Sequence, residues 1–249
     1  MTAFEDEIDQ NWQVFHQQWT SQIASNWAQL KGSSSIFVDS YRRLSSLNAL
    51  RVYVVEKKLD KDSAAFFLEA HNDALVSHVS ASFGAWRGSL QSLRSCVENT
   101  LCALYYKDHP IELEQWKTGA HRIGFSDLMA YMERHPALSG VDKTLTGLEM
   151  LAQEYSLLSR AVHGSAATFR MTDQINRILL WSTDPARAGM WQTRERHVVN
   201  GICLLLIAMF RNEFVGMKLQ NVRDTLYYAI SATARSKLKT ALKISISRP

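Results

Sequence analysis

One histidine, at the end of an amphipathic stretch, is the residue best placed by the sequence to do chemistry. Residues 144–164 repeat apolar side chains at three- and four-residue spacing, which is typical of a helix with one buried face. His163 lies at the end of this stretch, and Gly164 follows, as glycine does after many helices. The negative end of a helix favours a protonated imidazole, so His163 is a candidate for proton transfer. A capping histidine without chemistry is the alternative interpretation.

Charged side chains that could act with this histidine lie nearby in sequence and on another predicted helix. Arg160 precedes His163 by three residues, on a neighbouring face of the same helix. Residues 86–107 predict a second helix, whose leucine stripe is flanked by Arg94 and Glu98. If this protein is an enzyme, these residues predict chemistry that uses His, Arg, Glu and Tyr side chains without a fixed cofactor. The alternative is that Arg94 and Glu98 form an ordinary ion pair on the helix surface.

The composition is that of a globular protein and excludes several classes. The chain has 249 residues, 46% hydrophobic and 21% charged, and its net charge of +4 permits a polyanionic partner without requiring one. Three cysteines without a pairing pattern indicate a reducing compartment, and the acidic start is unlike a signal peptide. The longest apolar run, residues 202–210, is too short to span a bilayer. We therefore expect a cytoplasmic protein without a membrane segment.

The two ends of the chain carry opposite charge. Residues 1–30 have a net charge of −4, and residues 211–249 have a net charge of +6. The basic end makes four side chains candidates for nucleic-acid binding, although a solvated helix face is the alternative: Arg235, Lys237, Lys239 and Lys243. Residues 1–31 predict a separate helical unit with a tryptophan-rich stripe, which either packs on the domain or meets a second chain. Residues 36–249 are expected to form the bundle domain.

Helical periodicity dominates the chain, and no stretch alternates convincingly like a strand. The sequence predicts helices over residues 4–31, 37–58, 64–82, 86–107, 111–118, 127–134, 144–164, 193–217 and 219–243, with a short one at 175–181 and a hinge at 32–35. The fold class is therefore all-α. The chain has no phosphate-binding glycine loop, no dinucleotide fingerprint, no paired-cysteine motif and no zinc-protease motif, so neither a cofactor nor a metal site is expected.

Two of these stretches resemble the HEPN superfamily of helical proteins. LRSCVENTLCALYY, residues 93–106, is similar to the Arg/Glu-bearing second helix of a HEPN bundle. EYSLLSRAVHGS, residues 154–165, is similar to the late helix that ends in the family's essential histidine. The resemblance covers residues 64–214. It implies a HEPN-like helical bundle with extra N- and C-terminal helices, belonging to a prokaryotic abortive-infection, toxin or antiviral defence system.

The resemblance also implies an activity, with one departure from the family pattern. Active HEPN proteins are metal-independent endoribonucleases whose motif has four to six residues between an arginine and the histidine that follows it. Here those positions hold Leu158, Leu157 and Ser156, so the motif is degenerate. The resemblance then assigns catalysis to His163, with Arg160 or Arg94, beside Glu98, in place of the missing arginine.

Three functions stay open at this point. The first is a ribonuclease that binds RNA or another nucleic acid. The second is a non-catalytic helical interaction module in a multi-protein defence complex, which would bind a protein partner or form a homodimer. The third is a nucleotide sensor that uses the groove beside Arg94 and Glu98.

Overall fold

The computed structural model describes residues 3–163, 172–174, 177–178, 181–215 and 219–248, and it confirms the all-α prediction. The strands of this described part are β1, Thr172–Gln174, and β2, Arg177–Ile178, which pair antiparallel as a small hairpin. None of the helices in the described residues has the length and apolar character that crossing a membrane requires.

Most of the described helices follow one another closely along the chain. In chain order their bounds are α1 Ala3–Leu30, α2 Ser34–Leu50, α3 Glu56–Lys58, α4 Lys61–Ser82, α5 Trp86–Tyr106, α6 Pro110–Lys117, α7 Phe125–Glu133, α8 Leu148–Val162, α9 Pro185–Met209, α10 Arg211–Phe214, α11 Gln220–Ala229 and α12 Ala232–Lys237. A π-helical segment, Arg51–Val55, joins α2 to α3, and another, Leu238–Leu242, follows α12.

Helix α5 lies between the other long helices and brings the candidate site together. It packs against α4 along its length and also contacts α8 and α9, while α9 contacts α2, α8 and α11. Every residue of α9 from Val198 to Met209 is buried, as expected for the helix that is apolar nearly all round. The face of α5 that carries Leu90, Leu93 and Leu101 is buried in the same core.

A buried ion pair fixes α2 against α9. The Arg43 guanidinium lies 2.5 Å from a Glu195 carboxylate oxygen, and both side chains are almost fully buried. The Ser40 hydroxyl donates to the other carboxylate oxygen of Glu195 at 3.2 Å. Because an unpaired buried charge is costly, this pair restricts how the two helices can be placed relative to each other.

Helices α8 and α9 approach closely where two glycines meet. Gly147 directly precedes α8 and has a left-handed backbone, with φ of +72°. A Cβ atom at this position would lie 2.2 Å from the carbonyl oxygen of Gly201 in α9. Only glycine fits both the backbone conformation and the space, so this contact determines where α8 begins and how it lies on the core.

Two of the predicted helix starts are wrong, for identifiable reasons. The helix predicted from Thr144 begins at Leu148, because Gly147 turns the chain, and Lys143–Leu145 forms a separate 3₁₀ turn. The helix predicted from Thr193 begins at Pro185. The Asp184 carboxylate accepts a hydrogen bond from the Ala186 N–H at 2.9 Å, so Asp184 and Pro185 are an N-cap and first helical residue, not a turn.

Other segments also differ from the prediction. The C-terminal helix is interrupted because Ile230 is extended and Ser231 caps a new helix, α12. The predicted hinge at 32–35 is a 3₁₀ turn, Lys31–Ser33, that leads directly into α2. Within the helix predicted at 175–181, Arg177–Ile178 pairs with β1 instead, and residues 175–176 and 179–180 lie outside the described residues.

The glycine contact gives a stability prediction with a matched control. Gly140 also has a positive φ, +75°, but a Cβ there would have no atom within 4 Å. We expect Gly140→Ala to cost about 1 kcal/mol of unfolding free energy for the backbone strain alone. Gly147→Ala adds the clash with α9 and should cost about 2 kcal/mol more. Urea denaturation measures both, and equal losses would contradict the close contact between α8 and α9.

Candidate functional site

Arg94 of α5 is held by three side chains where α5 packs on α8. Its Nε donates to the Ser159 hydroxyl at 3.1 Å, and its Nη2 donates to the Glu98 carboxylate at 3.0 Å. The same Nη2 lies 2.5 Å from the hydroxyl of Tyr155, which in turn donates to Glu98 at 2.6 Å. The helical spacing places Arg94 and Glu98 on one face of α5, and Tyr155 and Ser159 on one face of α8. These four residues are called the arginine cluster below.

The aromatic ring of Tyr155 packs between Phe125 and the Arg94 guanidinium. Phe125, the first residue of α7, stacks on Tyr155 with ring centroids 3.5 Å apart and planes inclined by 5°. The Arg94 guanidinium lies 4.8 Å from the centroid of the same ring, within the range of a cation–π contact. Burial, together with the hydrogen bond to Glu98, raises the pKa of the Tyr155 hydroxyl, so it remains a donor near neutral pH.

The last turn of α8 lies directly beyond the arginine cluster and ends at His163. The backbone N–H of His163 donates to the backbone carbonyl of Ser159 at 3.1 Å, so the histidine follows the arginine cluster by one helical turn. Arg87 of α5, two turns before Arg94, donates to the carbonyl of Val162 at 2.6 Å. Arg160 and His163 both have exposed side chains.

The structure therefore places the four predicted catalytic residues along the C-terminal half of α8, in two groups. Arg94 and Glu98 form an ion pair, and His163 and Arg160 occupy the last turn of α8. Within the described residues, no hydrogen bond joins the His163 ring to Arg94 or Glu98. Arg87 reaches the backbone carbonyl next to His163, so it belongs to this end as well. Arg87, Arg94 and Arg160 thus lie at or beside the last two turns of α8.

The four basic residues predicted to bind nucleic acid lie elsewhere and differ in their surroundings. Arg235 donates to the carbonyls of Tyr227 and Ile230 at 2.8 and 2.6 Å, so its guanidinium caps backbone carbonyls at the C-terminal end of α11. Lys237 donates to the Thr144 hydroxyl at 3.0 Å, and Lys243 donates to the Thr240 carbonyl at 3.2 Å. Lys239 is exposed. Among these four, Arg235 is the one whose hydrogen bonds give it a structural role.

The structure also shows a histidine site that the sequence did not indicate. Glu154 of α8 is buried and accepts hydrogen bonds from Arg194 at 2.9 Å and from His197 Nδ1 at 2.7 Å. A groove of about 260 Å³ is lined by both Glu154 and His197. A carboxylate that holds one ring nitrogen of a histidine leaves the other for proton transfer. The three-residue spacing of Arg194 and His197 was the one local signal, because Glu154 lies on another helix.

Comparison with protein-family models, curated proteins and solved structures finds no match. Across the described ranges, no group of three or more His, Cys, Asp or Glu side chains is arranged to hold a metal ion.

Two substitutions separate the contributions of the Tyr155 ring and hydroxyl. Tyr155→Phe keeps the stack on Phe125 and removes the hydroxyl, and we expect it to lower the unfolding free energy by about 1 kcal/mol. Tyr155→Leu also removes the stack and should cost a further ~1 kcal/mol. Chemical denaturation of both variants measures the difference. A Phe variant as unstable as the Leu variant would show that the aromatic stack contributes nothing.

Proposed function

We propose that this protein binds RNA at the end of α8 and cleaves it without a metal ion, with His163 transferring the proton. The observation that carries the proposal is the position of Arg87, Arg94 and Arg160 around the helix turn that ends in an exposed histidine. Guanidinium groups are well suited to phosphate, since they are always charged and offer paired donors.

The hydrogen bonds of the arginine cluster leave part of Arg94 available for a phosphate. Its Nε and Nη2 are occupied by Ser159, Glu98 and Tyr155, and its Nη1 has no hydrogen-bond partner in the described part of the chain. A quarter of the side chain is exposed. The three contacts fix the orientation of the guanidinium before a ligand arrives, which lowers the entropy cost of binding.

The proposed cleavage uses the ribose of the substrate as nucleophile. The 2′-hydroxyl oxygen attacks the adjacent phosphorus while His163 accepts its proton, and the bond from phosphorus to the 5′ oxygen breaks. Solvent protonates the departing 5′ oxygen, which leaves a 2′,3′-cyclic phosphate and a 5′-hydroxyl end. The arginines stabilise the negative charge that builds up on the phosphate oxygens in the transition state.

The resemblance to the HEPN superfamily supports this proposal, and the altered motif shapes it. The family's arginine would occupy Leu158, Leu157 or Ser156, of which Leu158 is buried. In this chain Arg94 comes from α5 and contacts α8 at Ser159, one helical turn before His163. The role that the family gives to an arginine on the histidine's own helix is thus assigned to an arginine from the neighbouring helix.

A second candidate function is the helical interaction module, and a specific observation favours it. The side chains of residues 4–18 of α1 are all exposed, including Phe4, Ile8, Trp12 and Phe15. Large contiguous apolar surface is uncommon on proteins that act alone. Helix α1 is therefore proposed as a docking element, whether or not the other end of the molecule cleaves RNA.

The ribonuclease proposal predicts cleavage of total RNA in the presence of EDTA. Purified wild-type protein should cleave, and His163→Ala should reduce the rate by at least about 100-fold, the usual contribution of a positioned acid–base group. His197→Ala is the matched control, because His197 is also a partly exposed histidine at a helix surface and is held by Glu154.

The two histidine variants distinguish the possible sites. Loss of activity in the His163 variant alone supports the end of α8. Loss of activity in the His197 variant alone would indicate that cleavage occurs in the groove beside Glu154. Cleavage that is unchanged in His163→Ala contradicts the proposal.

The ion pair at Glu98 predicts a variant that binds RNA more tightly than the wild-type protein does. Glu98→Gln removes the negative charge while keeping an oxygen that can accept from Arg94 and Tyr155, so RNA affinity should rise several-fold at low salt. Glu149→Gln, at an exposed glutamate near the start of α8, is the control and should change affinity little. Fluorescence anisotropy with a 2′-O-methyl oligonucleotide measures both. Equal effects of the two variants would mean that Arg94 does not contact the phosphate.

A further inference from the structure

Helix α1 extends from the body as an exposed arm with an apolar stripe. Near the body, Asn26 and Leu30 are buried, and Asn26 Nδ2 donates to the Phe83 carbonyl at 3.2 Å. The same face of the helix continues outward through Ile23 and Trp19, which are half-buried. Farther out it carries Phe15, Trp12, Ile8 and Phe4, which are between 47% and 69% exposed. A single helix of this kind gains little stability from its own sequence and leaves its stripe in water.

The spacing of the stripe is symmetric about its centre. Starting from the middle, Trp12 and Phe15 form the first pair, Ile8 and Trp19 the second, and Phe4 and Ile23 the third. In each pair the two residue numbers add to the same total, so the stripe has the same pattern when it is read backwards. A two-fold axis through the point between Gln13 and Val14 therefore places each member of a pair opposite its counterpart in a second copy.

We propose that the occupant of this stripe is α1 of a second copy of this chain, packed antiparallel. The stripe residues 8, 12, 15 and 19 have the four- and three-residue alternation of a helix–helix seam. In the antiparallel pair, Phe4 of each copy lies against Ile23 of the other, and the seam stops one turn before Asn26. Each helix thus ends where the body of its partner begins.

Charge selects the antiparallel orientation. The first turns of α1 carry Glu5, Asp6, Glu7 and Asp9, and no basic residue precedes Lys31. A parallel pair would place both acidic groups side by side. In the antiparallel pair they face residues 18–22, which are uncharged, and each acidic residue is roughly 14 to 26 Å along the helix axis from its counterpart, beyond the screening length in physiological salt. They also lie toward the end of the body at which α5 begins, where Arg87 follows Phe83 by four residues.

The buried area is sufficient for a specific dimer. An aromatic side chain offers about 200 Å², and about half of this is exposed along the outer stripe, so the six residues contribute on the order of 500 Å² per copy. The glutamine and asparagine side chains that flank the seam bring the total for two copies to about 1,200 Å², the lower end of specific interfaces. The inference rests on the proposed docking role of α1, and it is independent of RNA cleavage.

Light scattering after size exclusion tests the interface at tens of micromolar protein. The wild-type chain should have about twice the 28.3 kDa mass of one chain. Trp12→Glu and Phe15→Glu should each give the mass of one chain, because both place a charge in the seam. Val14→Glu is the matched control: Val14 is 54% exposed but lies off the stripe, so this variant should remain a dimer.

Circular dichroism verifies that each variant keeps the folded bundle, which is expected since all three side chains are exposed. A wild-type protein with the mass of one chain overturns the proposal. A dimer that persists in both stripe variants, or that is lost equally in the Val14 variant, also overturns it. RNA cleavage is measured separately, so failure of the dimer and failure of the ribonuclease proposal are distinguishable.

Cross-linking tests the orientation. Chains carrying Ile8→Cys are mixed with chains carrying Trp19→Cys and treated with a short bis-maleimide. The antiparallel pair should give a cross-linked dimer in the mixture and none with either chain alone, since identical positions are about 17 Å apart along the axis. Wild-type protein is the blank, because Cys96 and Cys203 are buried and Cys102 is half-buried. Cross-linking of each chain with itself would indicate a parallel pair and overturn the proposal.

Discussion

The contact between Gly147 and Gly201 positions the rest of the candidate site. It lets α8 lie directly on α9, and α8 then runs along α5 until its last turn meets Arg87 and Arg94. A larger side chain at Gly147 would move the whole helix, because the obstacle is a backbone carbonyl that cannot rotate away. The buried pair of Arg43 and Glu195 holds α9 on its other side, so the helix that supports α8 is itself fixed.

The C-terminal end and the middle of α8 offer different chemistry from similar side chains. At its C-terminal end the exposed His163 follows Arg160 by three residues and lies beside the Val162 carbonyl that Arg87 contacts, an arrangement suited to an anion and to proton transfer. Midway along the helix, the buried Glu154 holds the ring of His197 beside a groove, so that imidazole is oriented by a carboxylate. The first arrangement offers more cationic groups to a phosphate, whereas the second holds its histidine ring by a hydrogen bond to a buried carboxylate.

Hydrophobic periodicity predicted the long helices because spacing reports which face is buried, and α5 agrees with its prediction to within one residue. The start of α8 could not be predicted, since the left-handed Gly147 is required by a carbonyl on a distant helix. The contacts of Arg94 with Tyr155 and Ser159, and of Glu154 with His197, are likewise tertiary. For α1 the stripe was visible in the sequence, but periodicity carries no information about what covers it.

The most direct test is to observe the His163 imidazole while RNA binds. Because the phosphate is proposed to lie beside this ring, a non-cleavable 2′-O-methyl oligonucleotide should shift the NMR signals of His163, assigned among the eight histidines by the His163→Ala variant. The His197 signals should stay unchanged, and Arg94→Gln should weaken the binding that causes the shift. A shift confined to His197, or binding that leaves His163 unchanged, would contradict the account.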